Sequence, residues 1–159
     1  MTASSIRILI ADDHAMVRTG LVTMLNVFDE LVFVGAASNG KVAIEMCNDV
    51  TPDIVLMDMH MPEVDGITAT RIIRQQNPGI KVLALTGFAQ DGTVRQALQA
   101  GASGFLLKSS SLEELIAAIR GVFAGQVILS PLAAASLVQA PLSDPEIDYG
   151  LTQREQEVL

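Results

Sequence analysis

Five apolar runs of strand length recur along the chain: IRILI at 6–10, LVFVGAA at 31–37, DIVLM at 53–57, IKVLALT at 80–86 and GFLL at 104–107. Each is rich in Val, Ile, Leu or Phe. Between them lie segments with helical spacing, such as Val17, Leu21, Met24, Leu25 and Phe28, and later Leu112, Leu115, Ile116, Ile119 and Phe123. Strand followed by helix, repeated, calls for parallel strands joined by right-handed crossovers. Runs that are apolar throughout, rather than at alternate positions, require a sheet covered on both faces. The spacing therefore predicts a doubly wound α/β fold over residues 5–124, a five-stranded parallel sheet with helices on both sides.

The pattern changes after Gly125. Ser130 and Pro131 have the chemistry of a helix start, a capping hydroxyl followed by proline in the first turn, and predict a short helix at about 131–138. QAPLSDPEIDYG then reads as an extended linker, so that 125–150 connects two units. In LTQREQEVL, at 151–159, Thr152 and Glu155 have the spacing of a capping box, and Val158 and Leu159 begin an apolar face. A helix that stops there is expected to belong to a longer protein.

Composition narrows the function classes. At 159 residues, with 50% hydrophobic side chains and 18% charged ones, the chain can bury a substantial core. It carries no apolar stretch of membrane-spanning length, and MTASSIRILI lacks the features of a signal peptide, so a cytoplasmic protein that does not use a membrane is expected. The single cysteine, Cys47, cannot form an internal disulfide; it falls on a helical apolar rhythm and reads as a buried thiol. A net charge of −8 argues against a broad phosphate-binding face, so any contact with DNA must come from another part of the protein.

Ligands of open parallel sheets bind at the carboxyl ends of the strands, where strand order reverses. The first strand ends in Asp12-Asp13, the third in Asp58, the fourth in Thr86-Gly87 and the fifth in Lys108. With a strand order of 2-1-3-4-5, the two acidic positions become neighbours. Converging carboxylates repel unless their proton affinity rises or a divalent cation sits among them. Magnesium suits such a site, because it takes one or two carboxylates and leaves positions for phosphate oxygens. Lys108 can hold a phosphoryl oxygen as a point charge, and the Thr86 hydroxyl can donate to another. One carboxylate is then free to act as a nucleophile. Asp58, alone after the central strand, is the better candidate.

Asp12-Asp13, Asp58 within MDMHMPEVDG, Thr86-Gly87, and Lys108 after GASGFLL, in that order, resemble the receiver domain of a bacterial two-component response regulator. LTQREQEVL resembles the opening of the helix-turn-helix domain of LuxR-type (NarL/FixJ-like) transcription factors. The resemblance implies a flavodoxin-like receiver, which is a phosphoacceptor signalling domain rather than an enzyme. It implies that Asp58 accepts a phosphoryl group from a sensor histidine kinase. It also implies that Asp13, Asp58 and the main-chain carbonyl of His60 ligate Mg2+, with Asp12 acting through water. Thr86 and Phe105 become a switch pair, and Lys108 anchors the phosphate. Implied partners are the cognate kinase, DNA through a C-terminal domain beyond this chain, and a second copy on phosphorylation, whether through the first and last helices or through the face around the fifth strand.

Competing readings use the same residues. A magnesium-dependent phosphohydrolase passing through an aspartyl-phosphate needs this acidic site too, but it usually carries a second carboxylate two residues after the nucleophile, where His60 stands here. A stand-alone receiver acting by protein docking is disfavoured by LTQREQEVL. Taken singly, Asp-Asp pairs are commonly solvated caps, and His14 reads as an exposed residue opening a helix. Met61-Pro62 and Asp65-Gly66 read as turn chemistry, with glycine relieving strain where loop becomes helix. His60 and Phe88, each two residues beyond a site residue, flank the phosphoryl position and control access to it. If Phe88 blocks in-line attack by water, Phe88→Ala shortens the half-life of the phosphorylated protein; an unchanged or longer half-life contradicts that role.

Overall fold

The computed structural model describes residues 5–87 and 92–139. Its strands are β1 (Ile6–Ala11), β2 (Leu31–Ala37), β3 (Ile54–Asp58), β4 (Lys81–Thr86), β5 (Gly104–Leu107) and β6 (Ile128–Leu129). The helices are α1 (Ala15–Leu25), α2 (Gly40–Val50), α3 (Gly66–Gln76), α4 (Thr93–Gln99), α5 (Leu112–Phe123) and α6 (Pro131–Gln139). All strand pairs are parallel, in the order β2-β1-β3-β4-β5-β6. The expected order 2-1-3-4-5 is present, extended at one edge by a short sixth strand.

Both faces of the sheet are covered, which is why its strands read as unbroken apolar runs. Ile8, Ile10, Ile54, Leu56, Leu83, Leu85 and Leu106 pack with α1 and α5 on one side. On the other side, Leu9, Val55, Met57, Val82, Ala84 and Phe105 meet residues from α2, α3, α4 and α6. β3 is buried at every position, as expected of a central strand. Cys47 is wholly buried in α2, and burial pushes its thiol up to about 12, an inert group as its apolar setting suggests.

Local sequence chemistry starts the helices. Asn39 accepts from the Val42 N–H to cap α2, Asp65 accepts from Thr68 to cap α3, and Ser111 with Glu114 forms a reciprocal capping box on α5. The expected apolar faces need two corrections. Phe28 lies beyond the end of α1, in the turn to β2, where Arg120 sits 5.7 Å over its ring. On α5 the buried residue near the end is Val122, and Phe123 is exposed.

The segment after α5 does more than connect. β6 pairs with Gly104 and Phe105 of β5, and α6 places Ala133 in the core against the α4 side. The Ala133 N–H donates to Ser130 Oγ at 3.2 Å, so the expected cap on α6 is formed. Two paired residues carry too little periodicity to be read as a strand, which is why β6 is absent from the sequence reading. Residues 140–159, with the rest of the expected linker and the helix start at 151–159, lie outside the described residues, as does Phe88.

Gly66 shows why the Asp-Gly pair opens α3. A Cβ there would run into the main-chain carbonyl oxygen of Asp58 and the Cα of Met59. The Gly66 N–H also donates to the Met59 carbonyl at 3.2 Å. Close backbone approach, rather than relief of turn strain, is the requirement. Gly20, inside α1, has open space where its Cβ would be. The same substitution is therefore expected to have opposite effects at the two sites. In urea unfolding, Gly66→Ala should lose about 1–3 kcal/mol by overpacking, whereas Gly20→Ala should gain up to about 1 kcal/mol of helix propensity. A Gly66→Ala protein as stable as wild type would contradict the close approach.

Candidate functional site

Parallel strands deliver their carboxyl ends to one edge of the sheet, and the side chains just beyond those ends meet there. β1 pairs with β3 in a register that sets Ala11 opposite Met57, so Asp12 and Asp58 follow as neighbours. The Lys108 N–H donates to the Thr86 carbonyl at 2.6 Å, which ties the end of β5 to the end of β4. Asp12 and Asp58 are almost fully buried, at 1% and 3% exposure, while the side chain of Asp13 is 29% exposed.

Lys108 is the cation of this cluster. Its Nζ lies 2.6 Å from Asp12 Oδ2 and 3.4 Å from Asp58 Oδ1. The contact with the buried Asp12 Oδ2 is an ion pair that offsets the charge on that oxygen. Burial, reinforced by the neighbouring Asp12, pushes the Asp58 carboxyl above its usual range, against the opposing pull of Lys108 and of the His60 N–H at 3.3 Å. Desolvation pulls the Lys108 ammonium down, but contacts with Asp12 and Asp58 outweigh it and leave the amine more basic than usual.

Asp12, Asp13, His14 and Asp58 each offer an atom within 4.8 Å of the others. Octahedral coordination with bonds of about 2.1 Å puts neighbouring ligand atoms about 3 Å apart and opposite ones about 4.2 Å apart. The cluster has that scale, and three carboxylates supply the hard oxygens that such an ion prefers. The residues therefore fit a divalent cation.

The other expected site residues are placed less uniformly. Thr86 is buried at the end of β4, on the same sheet face as Ala84, which pairs with Phe105. Phe105 is fully buried, so its ring already fills the core. His60 reaches the site through its main-chain N–H, and its side chain is exposed. His14 is the residue that sequence reasoning set aside. It stands at the start of α1 with its side chain 65% exposed, as expected, and makes no side-chain capping bond, yet its Nδ1 lies 3.1 Å from Asp12 Oδ1 and 3.0 Å from Asp13 Oδ1. Adjacency to the acidic pair was the available signal.

A model of the response regulator receiver domain matches residues 8–120 of the chain. The chain belongs to this family. Receivers are phosphoacceptor signalling domains, and this one is homologous to regulators of the LuxR type. It is 44% identical over 132 residues to the response regulator GacA of Pseudomonas viridiflava, a match covering 83% of this chain and 62% of that protein. The chain thus spans less than two thirds of that relative. Response regulator protein VraR of Staphylococcus aureus is 36% identical over 155 residues, covering 98% of this chain and 74% of VraR. Among solved structures, a LuxR-family two-component response regulator from Aurantimonas superposes with a TM-score of 0.81 at 36% identity, covering 85% of this chain and 96% of that one. The receiver's acidic pocket comprises Asp12, Asp13 and Asp58 with Lys108 beside them.

The raised Asp58 carboxyl carries a stability consequence of definite sign. The native state holds the Asp58 proton more tightly than the unfolded chain does. Below the ordinary carboxylate range both states are protonated and the group costs nothing. Stability falls as pH rises from the ordinary carboxylate range, where the unfolded chain releases its proton, to the higher native value, above which the cost no longer grows. In the presence of a chelator, Asp58→Asn should therefore melt a few degrees higher than wild type at pH 7, since 1 kcal/mol moves Tm by about 2–4 °C in a chain of this size. The difference should vanish toward pH 3. A lower Tm for the variant at pH 7 would show that the Lys108 attraction outweighs burial.

Proposed function

We propose that this chain is the phosphorylation-controlled switch of a DNA-binding response regulator, with Asp58 as phosphoacceptor. The observation that carries this reading is the setting of Asp58: buried at the end of the central strand, 3.4 Å from the Lys108 ammonium, among the other carboxylates of the pocket. The names and similarity of GacA and VraR support it.

The donor is the phosphohistidine of a sensor kinase. A carboxylate oxygen of Asp58 attacks the phosphorus, the P–N bond breaks, and the imidazole leaves to take up a proton. Lys108 holds a phosphoryl oxygen as charge develops on it, and the Thr86 hydroxyl donates to another. Asp13, Asp58 and the main-chain carbonyl of His60 would hold Mg2+, with Asp12 acting through water, and the bound ion would supply charge neutralisation for the phosphoryl oxygens.

Phosphorylation adds about 1.5–2 negative charges and new acceptor oxygens. Lys108 then exchanges part of its hold on Asp12 for the phosphoryl group, and Thr86 reorients with Phe105. Phe105 is wired to the segment that follows, because the Ser130 N–H donates to its carbonyl at 3.0 Å and Pro131 begins α6 directly after. The output is control of dimerisation or of DNA binding by a C-terminal domain, in the cytoplasm. Among the described residues, no helix is long and apolar enough to cross a membrane.

Incubation with Mg2+ and a small phosphoryl donor, followed by intact mass measurement, tests the assignment. Wild type should gain one phosphoryl group and Asp58→Ala none. A gain in both proteins would remove Asp58 as the acceptor.

A further inference from the structure

His14 presents Nδ1 to two carboxylate oxygens at once, at 3.1 Å to Asp12 and 3.0 Å to Asp13. A neutral imidazole nitrogen has one in-plane position, either a proton or a lone pair. With a proton, Nδ1 shares it between two acceptors in a three-centre arrangement. With a lone pair, three electron-rich atoms converge on one point, which is repulsive unless a cation stands there. The 3.0 Å separation from Asp13 Oδ1 matches the edge of an octahedron with metal–ligand bonds of about 2.1 Å, so an ion held by Asp13 can also meet Nδ1. The side chain is 65% exposed, and a ring that ligates through Nδ1 carries its proton on Nε2.

The main chain holds this arrangement in place. The His14 N–H donates to Asp12 Oδ1 at 2.8 Å, and Arg18 donates to the Asp12 carbonyl at 2.8 Å. The Asp12 carboxylate and the His14 main chain are thus tied together in the short turn that opens α1. The buried Asp12 Oδ2 faces away from this point toward Lys108, leaving Oδ1 on the His14 side. The donor set that results is mixed, with carboxylate oxygens and one imidazole nitrogen. Magnesium strongly favours oxygen, whereas first-row transition ions accept imidazole readily.

We propose that His14 Nδ1 is a side-chain ligand of the ion in the acidic pocket, giving this receiver a preference for Mn2+ and similar transition ions over Mg2+. The proposal rests on the divalent-cation reading of the pocket and goes beyond it by adding a ligand and a selectivity. Ligation by His14 also adds a nitrogen that can be detected directly.

The test uses Mn2+ as the probe and electron spin echo envelope modulation as the readout, so phosphorylation is not required. Wild type should show the coupling of a directly bonded imidazole nitrogen. The chain has two histidines, so His14→Ala should abolish the coupling and His60→Ala should keep it. Titrations should show His14→Ala losing roughly tenfold or more in Mn2+ affinity, with Mg2+ affinity little changed. Loss of the bound ion in Asp13→Asn assigns the signal to this pocket. Mn2+ bound in the pocket without nitrogen coupling in wild type, or with coupling retained in His14→Ala, overturns the role of His14 and leaves the cation site standing. Failure of Mn2+ to bind overturns both. The wild-type spectrum decides the matter even if a variant folds poorly.

Discussion

Everything about this molecule that concerns function depends on one electrostatic balance, the ammonium of Lys108 against the buried carboxylates of Asp12 and Asp58. A parallel sheet of this strand order places two buried acidic side chains side by side, and in that setting Asp58 is costly to ionise. Lys108 reduces that cost without cancelling it, as the elevated Asp58 carboxyl shows. The pocket therefore stores unfavourable charge at the place where a cation or a phosphoryl group would change the balance. A site at electrostatic rest would have little to signal with.

The sheet converts that local balance into something the rest of the chain can register. Thr86 and Phe105 stand on the adjacent strands β4 and β5, Lys108 directly follows β5, and its backbone bond to Thr86 links the strand ends. On the far edge of β5, β6 and α6 take hold of the same strand. A shift at the carboxyl end of β5 has a short, continuous route through packed groups to the start of α6.

Much of this was legible in the amino-acid order. The five longer strands declared themselves because burial on both faces removes polar residues from them, and the site followed because each strand's next residues are forced to the same edge. What escaped were features set by contacts distant in sequence or by very short elements. β6 pairs through only two residues. Phe28 and Phe123 fit a helical period, yet one falls past a helix end and the other faces solvent. Gly66 looked like turn chemistry because nothing local reveals the Asp58 carbonyl against it. His14 was read from its exposure, which is correct for the ring as a whole and misleading for the one nitrogen that faces inward.

The sixth strand bears on where this unit can be cut. A boundary drawn at the end of α5 would strip the edge of β5 of its partner and uncover the core beneath Ala133. An unpaired edge of that kind invites pairing with another chain. It would also release the Phe105 carbonyl from Ser130, so a protein shortened there could self-associate for reasons unrelated to signalling. Here β6 and α6 pack as part of the same fold as the five longer strands.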